Sequence, residues 1–294
     1  MRVMVIGATG VLGVPAVQQL LTEGHEVSGL VRAESRTRAV RETGAKPVPG
    51  DVFDLDALTA ALRGHDAVLN LATRIPAVKR AAFRSAWAEN DRLRTSGTQT
   101  LAAAIRRVDE VGIVVQEGIS LAYADGGESE LDEEAPLDAR FPTATSVVGH
   151  ANIAALEADG RTAVRLRIAT LVGDDAMTKA QLAAARHGAP LITGRRTAWT
   201  TAVHPDDAAA AAVAALRAPS GTYNVGATPV RKQQLGEAMA AAAGIPHPRA
   251  LPQWAASLFG PMSVLARSQR IISTRLTEAT GWQPNHRTPG PEWF

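Results

Sequence analysis

Val3-Met4-Val5-Ile6-Gly7-Ala8-Thr9-Gly10-Val11-Leu12-Gly13 decides the fold. The apolar run Val3–Ile6 reads as a buried parallel strand, and Gly7 turns the chain at its end. Further glycines stand at Gly10 and Gly13, and Val14–Leu21 continues as a helix stopped at Gly24. Glycine in such a turn lets backbone N–H groups approach a pyrophosphate and lets the helix pack close to the strand. The helix dipole adds partial positive charge at the same point.

Outward from that turn, strands and helices alternate. Strands are predicted at Val27–Val31, Lys46–Val48, Ala67–Leu71, Gly112–Gln116 and Ala163–Ile168. Helices are predicted at Ser35–Glu42, Leu55–Leu62, about Lys79–Arg107, Ala151–Ala158, Asp206–Leu216 and Gln233–Ala243. The aspartates at the start of Asp206–Leu216 stand where a helix cap belongs. Asp125–Pro142 is acidic and rich in Gly and Pro, as a surface loop would be. The rhythm predicts an α/β fold of the Rossmann type, a doubly wound parallel sheet with right-handed crossovers. Residues 1–173 read as the nucleotide-binding domain. Residues 174–294 read as a small, mostly helical substrate lobe interwoven with it.

Composition narrows the chemistry. The 294 residues are 46% hydrophobic and 20% charged, enough for a sizeable core. There is no cysteine, which removes disulfides, thiolate metal sites and cysteine nucleophiles. No metal site is expected. A formal charge of +2 with no long run of like charges gives nucleic-acid binding no support. No apolar stretch approaches the roughly 18 residues of a membrane span. The opening Met1–Gly10 lacks a signal-peptide pattern, so the expected location is the cytoplasm.

The second strand ends Val31-Arg32, with Arg36 and Arg38 close behind. Arginine there accommodates a 2′-phosphate, whereas a carboxylate would hold a free ribose hydroxyl, so NADP(H) is the expected cofactor. A solvated helix start is the plainer account of these arginines. Asp51-Val52 follows the third strand. Its carboxylate either reaches the adenine amino group or caps the next helix.

These residues resemble the extended short-chain dehydrogenase/reductase family, also called the NAD-dependent epimerase/dehydratase family. The resemblance rests on Gly7–Gly13, Gly50–Asp54, Leu69–Thr73, Leu166–Gly173, Val203–Ala209 and Gly221–Gly226, with Gly281-Trp282-Gln283-Pro284 as a family-like ending. It implies a seven-stranded sheet, a nicotinamide over the ends of strands four to six, and a roof from the C-terminal lobe. Gly7, Thr9, Gly10, Val11, Leu12, Gly13, Arg32, Arg36, Asp51, Val52, Leu71, Ala72, Thr73, Ile168, Ala169 and Thr170 are the implied cofactor contacts.

One departure matters most. The family's acid is a tyrosine with a lysine four residues later, both on one helix face. Here the tyrosines are Tyr123 and Tyr223, and the lysines are Lys46, Lys79, Lys179 and Lys232. Gly127 and Ala227 stand four residues after the tyrosines, so no such pair exists in any register. Spacing to Leu166-Arg167 puts the pair on Ser146 and His150. The family's Ser/Thr falls on Ile119, between Gly118 and Ser120, and its Asn falls on Arg94, with Asn90 one turn upstream.

The remaining candidates divide by chemistry. Ser120 and Ser146 have hydroxyls that polarise a carbonyl without acting as free acids. His150 and His204 have side chains suited to acid catalysis near neutrality, and His150 also stands where the ribose-holding lysine belongs. Tyr123 lies just past the fifth strand. Each has a plainer reading: a surface helix position for His150, a loop-ordering role for His204, packing for Tyr123, a helix cap for Ser146. Arg167 reads as ordering the loop after its strand. Trp199 and Trp254 stand where a roof would stack on a flat ligand.

A substrate phenol bonded to its own ketone would supply the missing proton, leaving the protein to bind and orient. Aromatic polyketide tailoring meets such substrates, and the chain is similar to atypical angucyclinone ketoreductases of the same superfamily, which lack the usual triad. The reading is an NADPH-dependent ketoreductase acting on an aromatic ketone in antibiotic biosynthesis. Two others stay open: a non-redox cyclase, isomerase or dehydratase, and an NADP-binding regulatory protein. A homodimer through the long helix at Arg94 is also open.

Overall fold

Strand β1 (Arg2–Ile6) occupies mid-sheet because both of its faces are apolar. Val3 and Val5 point into one core with Ala16, Val17 and Leu20, while Met4 and Ile6 point into the other with Leu58, Leu62, Leu101 and Ile105. That alternation follows from the two-residue period of a strand. The computed structural model describes residues 1–77, 80–81, 83–258 and 260–294.

The other sheet strands are β2 (Glu26–Val31), β3 (Lys46–Pro49), β4 (Ala67–Asn70), β5 (Ile113–Gln116), β7 (Thr162–Ile168) and β12 (Gly221–Val225). All seven pair in parallel, in the order β12-β7-β5-β4-β1-β2-β3. The direction of travel reverses between β1 and β4. Ligands of doubly wound sheets bind at that switch, beyond the C-terminal strand ends.

Helices cover both faces. On one, α1 (Gly13–Thr22) packs against α8 (Pro205–Ala214). Buried Ala208, Ala209, Ala211 and Ala212 let α8 lie close to the sheet. On the other lie α3 (Leu55–Leu62), α5 (Thr98–Arg106) and α6 (Ala144–Ala154). Short α2 (Thr37–Glu42) links β2 to β3. The expected helix over Lys79–Arg107 is broken. A 3₁₀ turn Arg84–Trp87 leads into α4 (Ala88–Arg92), then a π-helical turn Leu93–Gly97, then α5. Lys79 lies outside the described residues.

Two starts differ from expectation. Helix α6 begins seven residues before Ala151, through Thr145, Val147, Val148 and Gly149. Those residues are weak helix formers, and packing overrides the propensity. A Cβ on Gly149 would stand 2.8 Å from the Arg94 carbonyl, so only glycine lets the two helices approach this closely. Helix α8 is capped by His204, whose Nδ1 accepts from the Asp206 N–H at 3.3 Å. Asp206 and Asp207 fall in the first turn, favoured by the dipole but not capping.

Beyond residue 173, α7 (Ala176–Arg186) and α9 (Lys232–Ala243) pack on each other, and two-residue ribbons lace this stretch to itself and to the chain before it. These pair β6 (Glu130–Leu131) with β15 (Arg270–Ile271), and β8 (Thr170–Leu171) with β11 (Ala202–Val203). They also pair β9 (Ile192–Thr193) with β14 (Ala250–Leu251), and β10 (Trp199–Thr200) with β13 (Val230–Arg231). Buried Lys232 staples two lobe segments by donating to the Thr193 and Leu265 carbonyls. The same stretch of chain also returns to the central sheet as β12 and α8.

Candidate active site

The turn after β1 is shaped by its glycines. Gly7 sits at φ +90°, and a Cβ on it would meet the Ala72 backbone at 2.9 Å. A Cβ on Gly13 would run into the backbone of Ala8 at 2.7 Å. The Gly10 N–H closes the turn on the Gly7 carbonyl at 2.9 Å. Helix α1 has no side-chain cap; in its first turn Val14 and Ala16 donate to the Gly10 and Leu12 carbonyls and Pro15 has no N–H, which leaves the N–H of Gly13 as the helix's contribution to the loop. This cradle fits a pyrophosphate, because Gly10 puts no side chain at the loop tip and Gly7 and Gly13 keep the turn tight against the start of the helix. A cleft of about 420 Å³ opens at the loop tip, between Thr9–Val11, Val14 and the segment from His204 to Asp206.

At the end of β2, Arg32 and Arg36 are exposed, while Arg38 is paired with Glu42. Asp51 accepts from the Phe53 N–H. The cap of α3 is Asp54, which accepts from the Asp56 and Ala57 N–H groups, so Asp51 is not that cap. Val52 is buried beside it. Leu71 continues β4 by donating to the Ile6 carbonyl, and Ala72 and Thr73 follow it over the loop. Ile168 donates to the Gly118 carbonyl, Ala169 to Val225 and Thr170 to Thr201.

The floor beyond β5 is built differently. Ser120, Ser146 and His150 come together there. Ser120 opens a 3₁₀ turn and is buried. Ser146, one turn before His150 on α6, does not cap its helix. Its Oγ accepts from the Ile119 N–H at 3.2 Å, which leaves the hydroxyl's own proton available. His150 folds against Gly118, where a Cβ would meet its Cε1 at 2.6 Å. Its Nε2 is buried with no hydrogen-bond partner. Burial pushes the imidazole pKa down to about 3, and the charges of Arg167, Arg94 and Arg165 push the same way. His150 is therefore neutral at physiological pH.

Arg94 and Glu117 were not singled out as a pair by the sequence. Both side chains are 4% exposed. Nε of Arg94 donates to one Glu117 oxygen at 3.1 Å, and a terminal nitrogen donates to the other at 2.9 Å. Such a bidentate pair satisfies both charges internally. Arg94 lies on the buried stripe of its helix with Asn90, Thr98 and Leu101, and a charge on such a stripe demands a counter-charge. Asn70 donates to the Gln116 side chain, tying the ends of β4 and β5 together.

Two candidates are engaged elsewhere. Tyr123 is fully buried among Leu131 and Ile271. Its hydroxyl donates to Asn224 Oδ1 and accepts from Arg167, both at 2.7 Å. Burial raises its pKa. Arg167 also donates to the Glu133 carbonyl, so it orders the acidic loop rather than the loop after β7. His204 stacks on His286 at 3.9 Å, with Trp293 edge-on. Burial lowers the His204 pKa, and His286 adds to the shift. Trp199 is covered by the guanidinium groups of Arg231 and Arg270, while Trp254 is 71% exposed.

Residues 3–226 match the NAD dependent epimerase/dehydratase family. The chain belongs to that family. It is 34% identical to a 3-diazoavenalumate denitrifying reductase of Streptomyces sp, over all of this chain and 98% of that one. It is 32% identical to a 4-hydroxy-2-methyl-3-oxo-4-farnesyl-3,4-dihydroquinoline-1-oxide ketoreductase of Stigmatella aurantiaca, over 48% of this chain and 40% of that one. The human epimerase family protein SDR39U1, solved with NADPH, superposes with a TM-score of 0.82 at 25% identity, over 100% of this chain and 98% of that one. The protein is accordingly an NAD(P)-dependent oxidoreductase of the short-chain dehydrogenase/reductase superfamily, with a small-molecule substrate. Among the described residues, no helix is long and apolar enough to cross a membrane.

Proposed function

We propose that this protein is an NADPH-dependent ketoreductase of a flat aromatic substrate, one that takes no proton from a protein acid. One observation carries the reading. Spacing to Leu166-Arg167 sets Ser146 and His150 against the family's tyrosine and lysine, and His150, half-buried with its Nε2 fully buried, stays neutral down to about pH 3. Bound in the glycine cradle, NADPH would supply the hydride. Exposed Arg32 and Arg36 would hold its 2′-phosphate, and Gly7–Gly13 its pyrophosphate. The available Ser146 proton, with Ser120 beside it, polarises the ketone oxygen.

The proton then comes from the substrate. A phenol ortho to the ketone gives its proton to the developing alkoxide and recovers one from water. Binding and orientation alone contribute roughly 7–11 kcal/mol of such a barrier. An aromatic polyketide of angucyclinone type has this arrangement, which supports a place in antibiotic biosynthesis.

A second reading has its own observation, the relative matched end to end and named for a diazo compound. An aryl diazonium carbon accepts hydride as the C–N bond breaks and dinitrogen leaves. No proton is required there either.

The test mixes protein, deuterium-labelled NADPH and a hydroxyaryl ketone or an aryl diazo compound. The reading expects nicotinamide oxidation with deuterium on the carbinol carbon. Dinitrogen release with deuterium on the ring supports the second reading. Product without nicotinamide oxidation would mean a non-redox enzyme and would sink both. Tight NADPH binding with no turnover on either substrate class would mean a regulatory protein.

A further inference from the structure

Asn90 is completely buried, yet its amide nitrogen has no hydrogen-bond partner. Its orientation is settled by chemistry. The Arg74 N–H donates to Oδ1 at 3.1 Å, so the NH₂ must point the other way. Two buried N–H donors without an acceptor are costly to a fold, and such exceptions call for an explanation.

The position supplies one. Arg74 belongs to the segment that leaves β4, at the sheet's C-terminal edge, where ligands of this architecture bind. The neighbouring Asp91 accepts from Thr145 at 2.9 Å, which joins this turn to α6, the helix of Ser146 and His150. One turn on, Arg94 is closed off by Glu117. Asn90 is thus the open donor of a helix turn whose next donor is already satisfied. Its oxygen holds the exit of β4, and its neighbour Asp91 holds the helix that carries Ser146 and His150.

We propose that Asn90 is a binding residue of the reaction centre, its amide donating to an oxygen acceptor that arrives with the ligands. The acceptor is either a hydroxyl of the nicotinamide ribose or an oxygen of the substrate. The inference rests on the NADPH-dependent reading above. Asn90 then has two tasks, holding the β4 exit through its oxygen and the ligand through its nitrogen.

Asn90→Asp separates the tasks, since it keeps an acceptor for the Arg74 N–H and removes the NH₂. Three quantities are measured on wild type and variant: Kd for NADPH, Kd for 2′,5′-ADP, which lacks the nicotinamide half, and KM with kcat for the ketone. If the acceptor is the ribose, the variant's NADPH Kd rises about tenfold while its 2′,5′-ADP Kd is unchanged. If the acceptor is a substrate oxygen, both Kd values hold and kcat/KM falls about tenfold. Asn90→Ala should give at least the same loss, which guards against a special effect of the introduced carboxyl. All quantities within twofold of wild type would overturn the proposal. So would an equal loss of NADPH and 2′,5′-ADP binding, the signature of a damaged loop. A wild-type chain that binds no NADPH would overturn the cofactor reading as well, which distinguishes the two failures.

Discussion

The two ends of the nucleotide cleft were built under different rules. At the phosphate loop, Gly7 and Gly13 leave no room for a side chain, and the loop lies within the segment that matches the family. At the floor beyond β5, the chain has no Tyr-x-x-x-Lys pair, and neutral His150, hydrogen-bonded Ser146 and the buried Arg94–Glu117 pair stand there. A cradle that holds a cofactor by backbone N–H groups tolerates little change. A floor that supplies a proton is dispensable once the substrate carries its own. On the proposed reading the contrast is one of cofactor-binding machinery kept without the family's acid–base pair.

The largest expected effect lies in the floor. Arg94→Met leaves Glu117 buried and unpaired, and should cost about 3–5 kcal/mol in urea unfolding. Arg94→Met with Glu117→Leu should recover most of that loss. A single variant as stable as wild type would break the idea that the floor is a closed structural unit. In the cradle, Gly13→Ala drives a methyl group into backbone, and should cost about 1–3 kcal/mol and weaken NADPH binding measured by titration. Unchanged binding would show that the cradle is not where phosphate sits.

Smaller effects sharpen the comparison. Arg32→Ala should weaken NADPH by about 10–100-fold, the worth of a charge-assisted hydrogen bond, and leave NADH unaffected. Equal loss for both would remove the 2′-phosphate role. His150 is held neutral when folded but protonates near pH 6.5 when unfolded, so its contribution to stability is present above that pH and lost as pH falls toward 3. His150→Gln should flatten this acid limb by up to about 1.4 kcal/mol per pH unit. It should also leave the kcat profile between pH 5 and 8 without a new inflection.

Much of the fold was legible because its signals are local. Val3–Ile6, Leu55–Leu62 and the glycine turn carry their structure in neighbouring residues. The start of α6 was not, because Gly149 makes sense only against the Arg94 carbonyl, contributed by a distant helix. The missing Tyr-Lys pair was legible by counting. Ser146 and His150 were legible by spacing, but the Arg94–Glu117 pair was not, since the two are 23 residues apart and meet only where the end of β5 packs beside the π-helical turn. The orphaned amide of Asn90 was hidden for the same reason. An unmet hydrogen bond is a property of the packed structure and leaves no trace in a residue pattern.

The central claim concerns the proton, and one comparison tests it most directly. The rate of NADPH-dependent reduction is measured for an ortho-hydroxyaryl ketone and for its methyl ether, in wild type and in His150→Ala. The account predicts that methylation slows reduction by about 100-fold or more, the usual worth of an acid catalyst, while His150→Ala on the free phenol changes the rate little. Equal rates for phenol and ether, with activity abolished in His150→Ala, would contradict it and return the proton to the protein.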